Sequence, residues 1–203
     1  MIIDGEKYKL PNNNFLQIEN VKKQIVIGHT FNRDMRHFHG WLHRHSNKYL
    51  KTAAFTIDAA GIIYKHFEPK YQSKYLNDLN LDSKSIIILL ENEGWLIKDI
   101  SKNRYINWVG DIYKKPKDII EKKWRGYSYW ASYSNEQIEA SKFLVKTLCE
   151  EFNITMTSVM HNTKIDSFNG YEGVIYKSNL EKHYTDLSPA WDCTLFKEKI
   201  END

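Results

Sequence analysis

The chain has 203 residues, 41% of them hydrophobic and 27% charged, with a net charge of +3. That size and balance suit a single soluble globular domain, and the charge is too small to point to a nucleic-acid partner. Cys149 and Cys193 form no CxxC pair and no disulfide framework, which fits a reducing compartment, and no apolar run approaches the ~18 residues of a membrane span.

In chain order, residues 1–21 are polar, with Pro11 and an Asn12-Asn13-Asn14 run, and read as an N-terminal arm without a secretory leader. Gln24 to Gly28 is a short apolar, β-branched run, the pattern of a strand buried inside a sheet, and Gly28-His29-Thr30 stands at its end. Asp34 is placed to cap a helix running to about Tyr49, with Met35, Phe38, Trp41, Leu42 and Tyr49 on its apolar face. Thr52 to Asp58 and Ile62 to Phe67 read as a hairpin turned at Ala60-Gly61. Ser85 to Leu90 is a second central strand. Residues 93–133 are basic and aromatic, hold Trp95, Trp108, Trp124 and Trp130, and read as an insertion with one strand near Tyr105 to Val109. Ser134-Asn135-Glu136-Gln137 is a capping box that opens a helix to about Phe152. A last strand, Gly173 to Tyr176, precedes Thr185-Asp186-Leu187-Ser188-Pro189-Ala190-Trp191-Asp192. The pattern predicts an α/β fold, a central mixed β-sheet flanked by helices. The aromatic content of 14% also suits a cleft that stacks on flat ligands or sugar faces.

Five of these stretches, in order, resemble the zinc-dependent N-acetylmuramoyl-L-alanine amidases and the peptidoglycan recognition proteins that share their fold. Ile25-Val26-Ile27-Gly28-His29-Thr30 is similar to the family's I-V-I-H-H-T, and Thr52 to Tyr64 to S-A-H-Y-V-I-D-R-D-G-T-I-Y. Ser85 to Asn92 is similar to S-I-G-I-E-L-x-N, Tyr133 to Ala140 to the start of the family's long helix, and Thr185 to Asp192 to T-D-P-G-P-A-F-D. The resemblance spans roughly residues 22–196 and implies the fold, a zinc site and a peptidoglycan substrate.

The positions that would carry the chemistry depart from that pattern. The resemblance puts the three zinc ligands at Gly28, Lys177 and Asp186, of which only Asp186 is a ligand. It puts the acid–base groups at Phe55 and Leu89 and the oxyanion-stabilising lysine at Tyr184. A catalytic zinc needs three protein ligands and an open position, and the ammonium of Lys177 would repel it. Lys177 is expected to stand in for the metal's charge beside Asp186, and no cofactor is expected. The expected ligand pocket is Gly28, His29, Ala54, Phe55, Leu89, Lys177, Tyr184 and Asp186.

The reading that follows is a catalytically degenerate binder of a muropeptide or similar small molecule. Two alternatives stay open. One is an active zinc amidase with a ligand set drawn from His29, His161, His183 and Asp186. The other is a pocket repurposed for a nucleotide signal in phage–host conflict. His39 and His43, four apart on one helical face, suit a metal in spacing, but read as a solvated face. A Lys-, Asn- and Ile-rich chain without a leader suits a phage-encoded protein acting in the host cytoplasm.

Overall fold

A computed structural model describes residues 1–163 and 170–201. Its centre is a six-stranded mixed sheet. In chain order its strands are β1 (Ile3–Asp4), β3 (Gln24–His29), β4 (Phe55–Ile57), β5 (Ile63–Lys65), β7 (Ser85–Leu90) and β12 (Gly173–Tyr176). Their order across the sheet is β1-β5-β4-β7-β3-β12. Only β4 and β5 pair antiparallel, as the hairpin; every other neighbour is parallel. Every residue of β3 and β7 is buried, so both faces of the sheet are covered. That two-sided burial is why these strands read as continuous apolar runs.

The helices are α1 (Arg36–His43), α2 (Leu79–Lys84), α3 (Asn135–Phe152), α4 (Lys177–Leu180) and α5 (Cys193–Glu201). Phe38 and Trp41 of α1, Leu144 and Leu148 of α3 and Phe196 of α5 share one core with the strands. Ser134 caps α3 as its sequence predicts: its hydroxyl accepts the Gln137 amide at 3.1 Å, and Gln137 Oε1 accepts the Ser134 amide at 3.2 Å. The Ser134 hydroxyl also donates to the Ala59 carbonyl at 2.8 Å, tying the helix start to the hairpin turn. Ser134→Ala is therefore expected to cost about 1 kcal/mol, read as a lower midpoint in urea unfolding at unchanged slope.

Three sequence expectations differ from the structure. The helix after β3 starts at Arg36 and ends at His43 rather than running from Asp34 to Tyr49. Asp34 and Met35 both have left-handed backbones (φ 56° and 51°), and the Met35 amide donates instead to the Glu91 carboxylate at 3.3 Å. The cap thus comes from the end of β7 and not from the chain next to the helix.

Residues 1–21 are stitched in rather than free. β1 pairs with β5, β2 (Leu16–Glu19) pairs with β6 (Tyr71–Gln72), and Leu10 and Phe15 enter the core. Residues 93–133 hold four strands rather than one. They are β8 (Trp95–Asp99), β9 (Arg104–Ile106), β10 (Ile119–Trp124) and β11 (Tyr127–Ala131), in an antiparallel sheet of order β10-β11-β8-β9. Trp95 stacks on Tyr127 with centroids 4.4 Å apart, and Trp130 is wholly buried.

Candidate functional site

Strand register decides which side chains meet. Gly28 pairs with Leu89, and Leu89 with Thr56, so these three share one face of the sheet. Phe55 pairs with Ile88, which pairs with Ile27, and this row faces the other way. Alternation therefore removes Phe55 from the face that carries Gly28 and puts Thr56 there in its place. Ala54 precedes β4 and is buried. His29, one residue past Gly28, pairs with Leu90, as expected for the opposite face.

At the end of β3, Gly28 makes room for an ion pair. A Cβ at position 28 would stand 2.7 Å from Asp186 Oδ2, 3.4 Å from a Leu89 methyl and 3.5 Å from Lys177 Cδ. Lys177 Nζ lies 3.2 Å from Asp186 Oδ2, and the two side chains are 13% and 1% exposed. The ammonium also sits 4.5 Å from the Tyr184 ring centroid and 4.9 Å from that of Tyr75. Burial works against the Lys177 charge, but Tyr75, Asp186 and Tyr184 outweigh it and hold its pKa above the ordinary lysine value. Burial pushes the Asp186 carboxyl up, against the pull of the same ammonium. The sequence places Gly28, Leu89, Lys177, Tyr184 and Asp186 together, and so does the structure. Tyr75, which closes the box around Lys177, carries no sequence signal: it lies in an irregular stretch between β6 and α2.

The remaining histidines do not converge on Asp186. His29 is buried, and its Nδ1 is 2.7 Å from the Tyr133 hydroxyl. Burial, with Lys177 adding to it, drives the His29 pKa well below the ordinary value. The Tyr133 oxygen also accepts the Ser188 amide at 3.4 Å, and His29 Nε2 is buried with no hydrogen-bond partner among the described residues. His161 Nε2 donates to the Leu187 carbonyl at 3.2 Å, and His183 is exposed beside Tyr184. His39 and His43 are exposed. Among the described residues no three His, Cys, Asp or Glu side chains are grouped to hold a metal ion. The zinc implied by the resemblance thus finds one carboxylate, already engaged by an ammonium, where three ligands are needed, and these residues do not fit it.

A cleft of about 420 Å³ opens beside this pair. Its lining includes Leu89 and His29 from the strands, His37, Trp41 and Arg44 from the α1 region, and Tyr49, Lys51 and Tyr75. Phe31, Trp95 and Trp108 supply further aromatic surface. Lys177 and Asp186 lie behind Tyr75 and are not part of the lining. The tip of the β10–β11 hairpin reaches the same region from outside. Arg125 donates to the carbonyls of Ser178 and Glu181, both at 2.8 Å, and of Tyr184. A second cavity, about 660 Å³, lies between the start of α3 and residues 113–120.

A central mixed sheet covered on both faces by helices, with a cleft beside the ends of its parallel strands, defines an α/β fold. The family model for N-acetylmuramoyl-L-alanine amidase matches residues 18–173, and the chain belongs to that family. No curated protein matches it by sequence. Solved structures share the fold. The N-acetylmuramoyl-L-alanine amidase LysC of Clostridium intestinale is 14% identical over 98% of this chain and 97% of its own, with a TM-score of 0.53. A mutant endolysin of Bacillus subtilis is 17% identical over 98% and 99%, with a TM-score of 0.57. The E. coli amidase AmiD, solved with anhydro-N-acetylmuramic acid-L-Ala-D-gamma-Glu-L-Lys, is 15% identical over 98% of this chain and 65% of its own, with a TM-score of 0.58.

Proposed function

We propose that this protein binds peptidoglycan fragments in the aromatic cleft over Leu89 and does not cleave them. The observation that carries this is the Lys177–Asp186 pair seated against Gly28. An ammonium takes the position of the metal charge, and the side chain that would have been its first ligand is missing. Leu89 cannot move a proton, and Phe55 is turned to the other face of the sheet. The cleft itself persists, with tryptophan and tyrosine faces that suit sugar rings and the polar groups of a peptide stem. AmiD and a Pseudomonas aeruginosa relative of the same fold were solved with muropeptide ligands, which supports the ligand class. No helix of the described residues is long and apolar enough to cross a membrane.

Trp41, Trp95 and Trp108 line the cleft, so intrinsic fluorescence reports its occupancy. Titration with N-acetylmuramoyl-L-alanyl-D-isoglutamine is expected to give a saturable change. Incubation with purified peptidoglycan is expected to release no stem peptide. Release that Asp186→Ala abolishes would establish an active amidase and overturn the reading.

A further inference from the structure

The cleft opens onto a buried hydrogen-bond chain. The Thr56 hydroxyl lies between two histidine rings, 3.0 Å from His37 Nε2 and 2.8 Å from His66 Nε2. At the far ends, His66 Nδ1 is 2.7 Å from the Tyr8 carbonyl oxygen and His37 Nδ1 is 3.3 Å from Asn32 Oδ1. The Asn32 amide has a fixed orientation, because Nδ2 donates to the Thr30 carbonyl at 3.0 Å and Oδ1 accepts the His37 backbone amide at 3.3 Å. Both ends of the chain are therefore acceptors.

Four contacts need four hydrogens. The hydroxyl supplies one and two neutral imidazoles supply one each, so the chain is one proton short. With one proton added every contact is satisfied: His37 donates to Asn32 and to Thr56, Thr56 donates to His66, and His66 donates to Tyr8. Without it one buried contact pairs two acceptors, which is unfavourable.

Among the described residues no carboxylate faces the rings to supply a counter-charge. Trp41 packs edge-on against both histidines, Phe38 stacks on His66 at 5.4 Å, and the titratable neighbours of His37 are His66 and His39. Burial accordingly holds His37 down to about 3, with His66 and His39 adding to it, and His66 down to about 4. His37 lines the cleft, and so do Arg44 and Lys51, with no carboxylate in the lining. Among the described residues the partners of these two cations are neutral: the Tyr49 hydroxyl and ring for Arg44, the Asn77 side-chain oxygen for Lys51.

We propose that the cleft takes an anionic ligand, bearing a carboxylate or a phosphate, and takes up one proton with it on the His37–Thr56–His66 chain. The anion provides the charge the rings lack, and the proton completes their hydrogen bonds. This rests on the reading that the cleft binds a small ligand, and it adds the sign of the ligand and the linkage.

Calorimetric titration at pH 7 in two buffers of different ionisation enthalpy measures the proton count. The probes are N-acetylmuramoyl-L-alanyl-D-isoglutamine for the carboxylate and adenosine monophosphate for the phosphate. At least one is expected to bind with close to one proton taken up, its affinity rising toward tenfold per unit as the pH falls from 8 to 6. Thr56→Val is expected to abolish the uptake and Thr56→Ser to retain it; the difference between them removes any titration of the probe itself. Ring ¹⁵N shifts of the wild type with and without probe give the same answer without a variant. Uptake with adenosine monophosphate alone would support the inference and remove the peptidoglycan reading. Binding without uptake would overturn the inference and leave the ligand reading standing. No binding of either probe would overturn both.

Discussion

Lys177→Met is expected to destabilise the fold by about 3–5 kcal/mol, because it removes the ammonium in contact with the buried Asp186 carboxylate. Methionine keeps most of the apolar stem, so lost packing is a small part of the effect. The ammonium that opposes the burial of Asp186 is gone, and the folded-state pKa of that carboxyl rises further above its unfolded value. The sign of the pH dependence follows. An acid whose folded pKa is raised is favoured in the fold while protonated, and it loses stability as the pH rises above the unfolded pKa. The deficit of Lys177→Met against wild type is therefore expected to be largest near pH 7–8 and to shrink toward pH 5. Adding Asp186→Asn, which removes the charge in need of a partner, is expected to restore part of the loss. Urea melts of the three proteins at two pH values measure this. A deficit under 1 kcal/mol that does not change with pH would show that the pair carries little of the local energy.

The sheet was legible where burial is two-sided. Gln24 to Gly28, Ser85 to Leu90 and Gly173 to Tyr176 are mostly apolar and buried along their whole length. The insertion's sheet was not legible for the opposite reason. Ile119–Trp124 is largely exposed and carries Glu121, Lys122 and Lys123 in a row, so its strand pairing leaves no alternation to read.

The helix start at Arg36 was missed because its cap comes from Glu91, 56 residues away.

In the site, the resemblance named Gly28, Leu89, Lys177, Tyr184 and Asp186, and the structure brings these five side by side. It placed Phe55 on the wrong face because the deciding quantity is its pairing with Ile88, which only the register shows. His37 comes from a helix, Thr56 from a strand and His66 from the residue just past β5, and no motif joins them. Their common feature, a shortage of one hydrogen, is a property of the assembled contacts and has no counterpart in the sequence.

Gly28→His together with Lys177→His is expected to create a zinc site without creating an amidase. A side chain at position 28 points straight at Asp186 Oδ2, and position 177 already delivers its Nζ to 3.2 Å from the same oxygen. Two imidazoles and one carboxylate would then converge, which is the ligand number and type that zinc takes. The metal-free double variant is expected to be less stable than wild type, since Asp186 has lost its cation and its carboxylate must shift to admit the new Cβ. Zinc is expected to reverse this, adding ~2.7 kcal/mol at a hundredfold excess over its Kd. Elemental analysis is expected to find about one zinc per chain in the variant and a trace in wild type. Peptidoglycan is expected to stay uncut, because Leu89 offers no acid–base group, Thr56 holds the site-facing place beside it with a hydroxyl, and Tyr184 has a phenol in place of an ammonium. One zinc per chain in wild type, or stem-peptide release by the double variant, would each contradict this account. The first would mean that histidines outside the Gly28 corner gather a metal, and the second that the metal alone carries the chemistry.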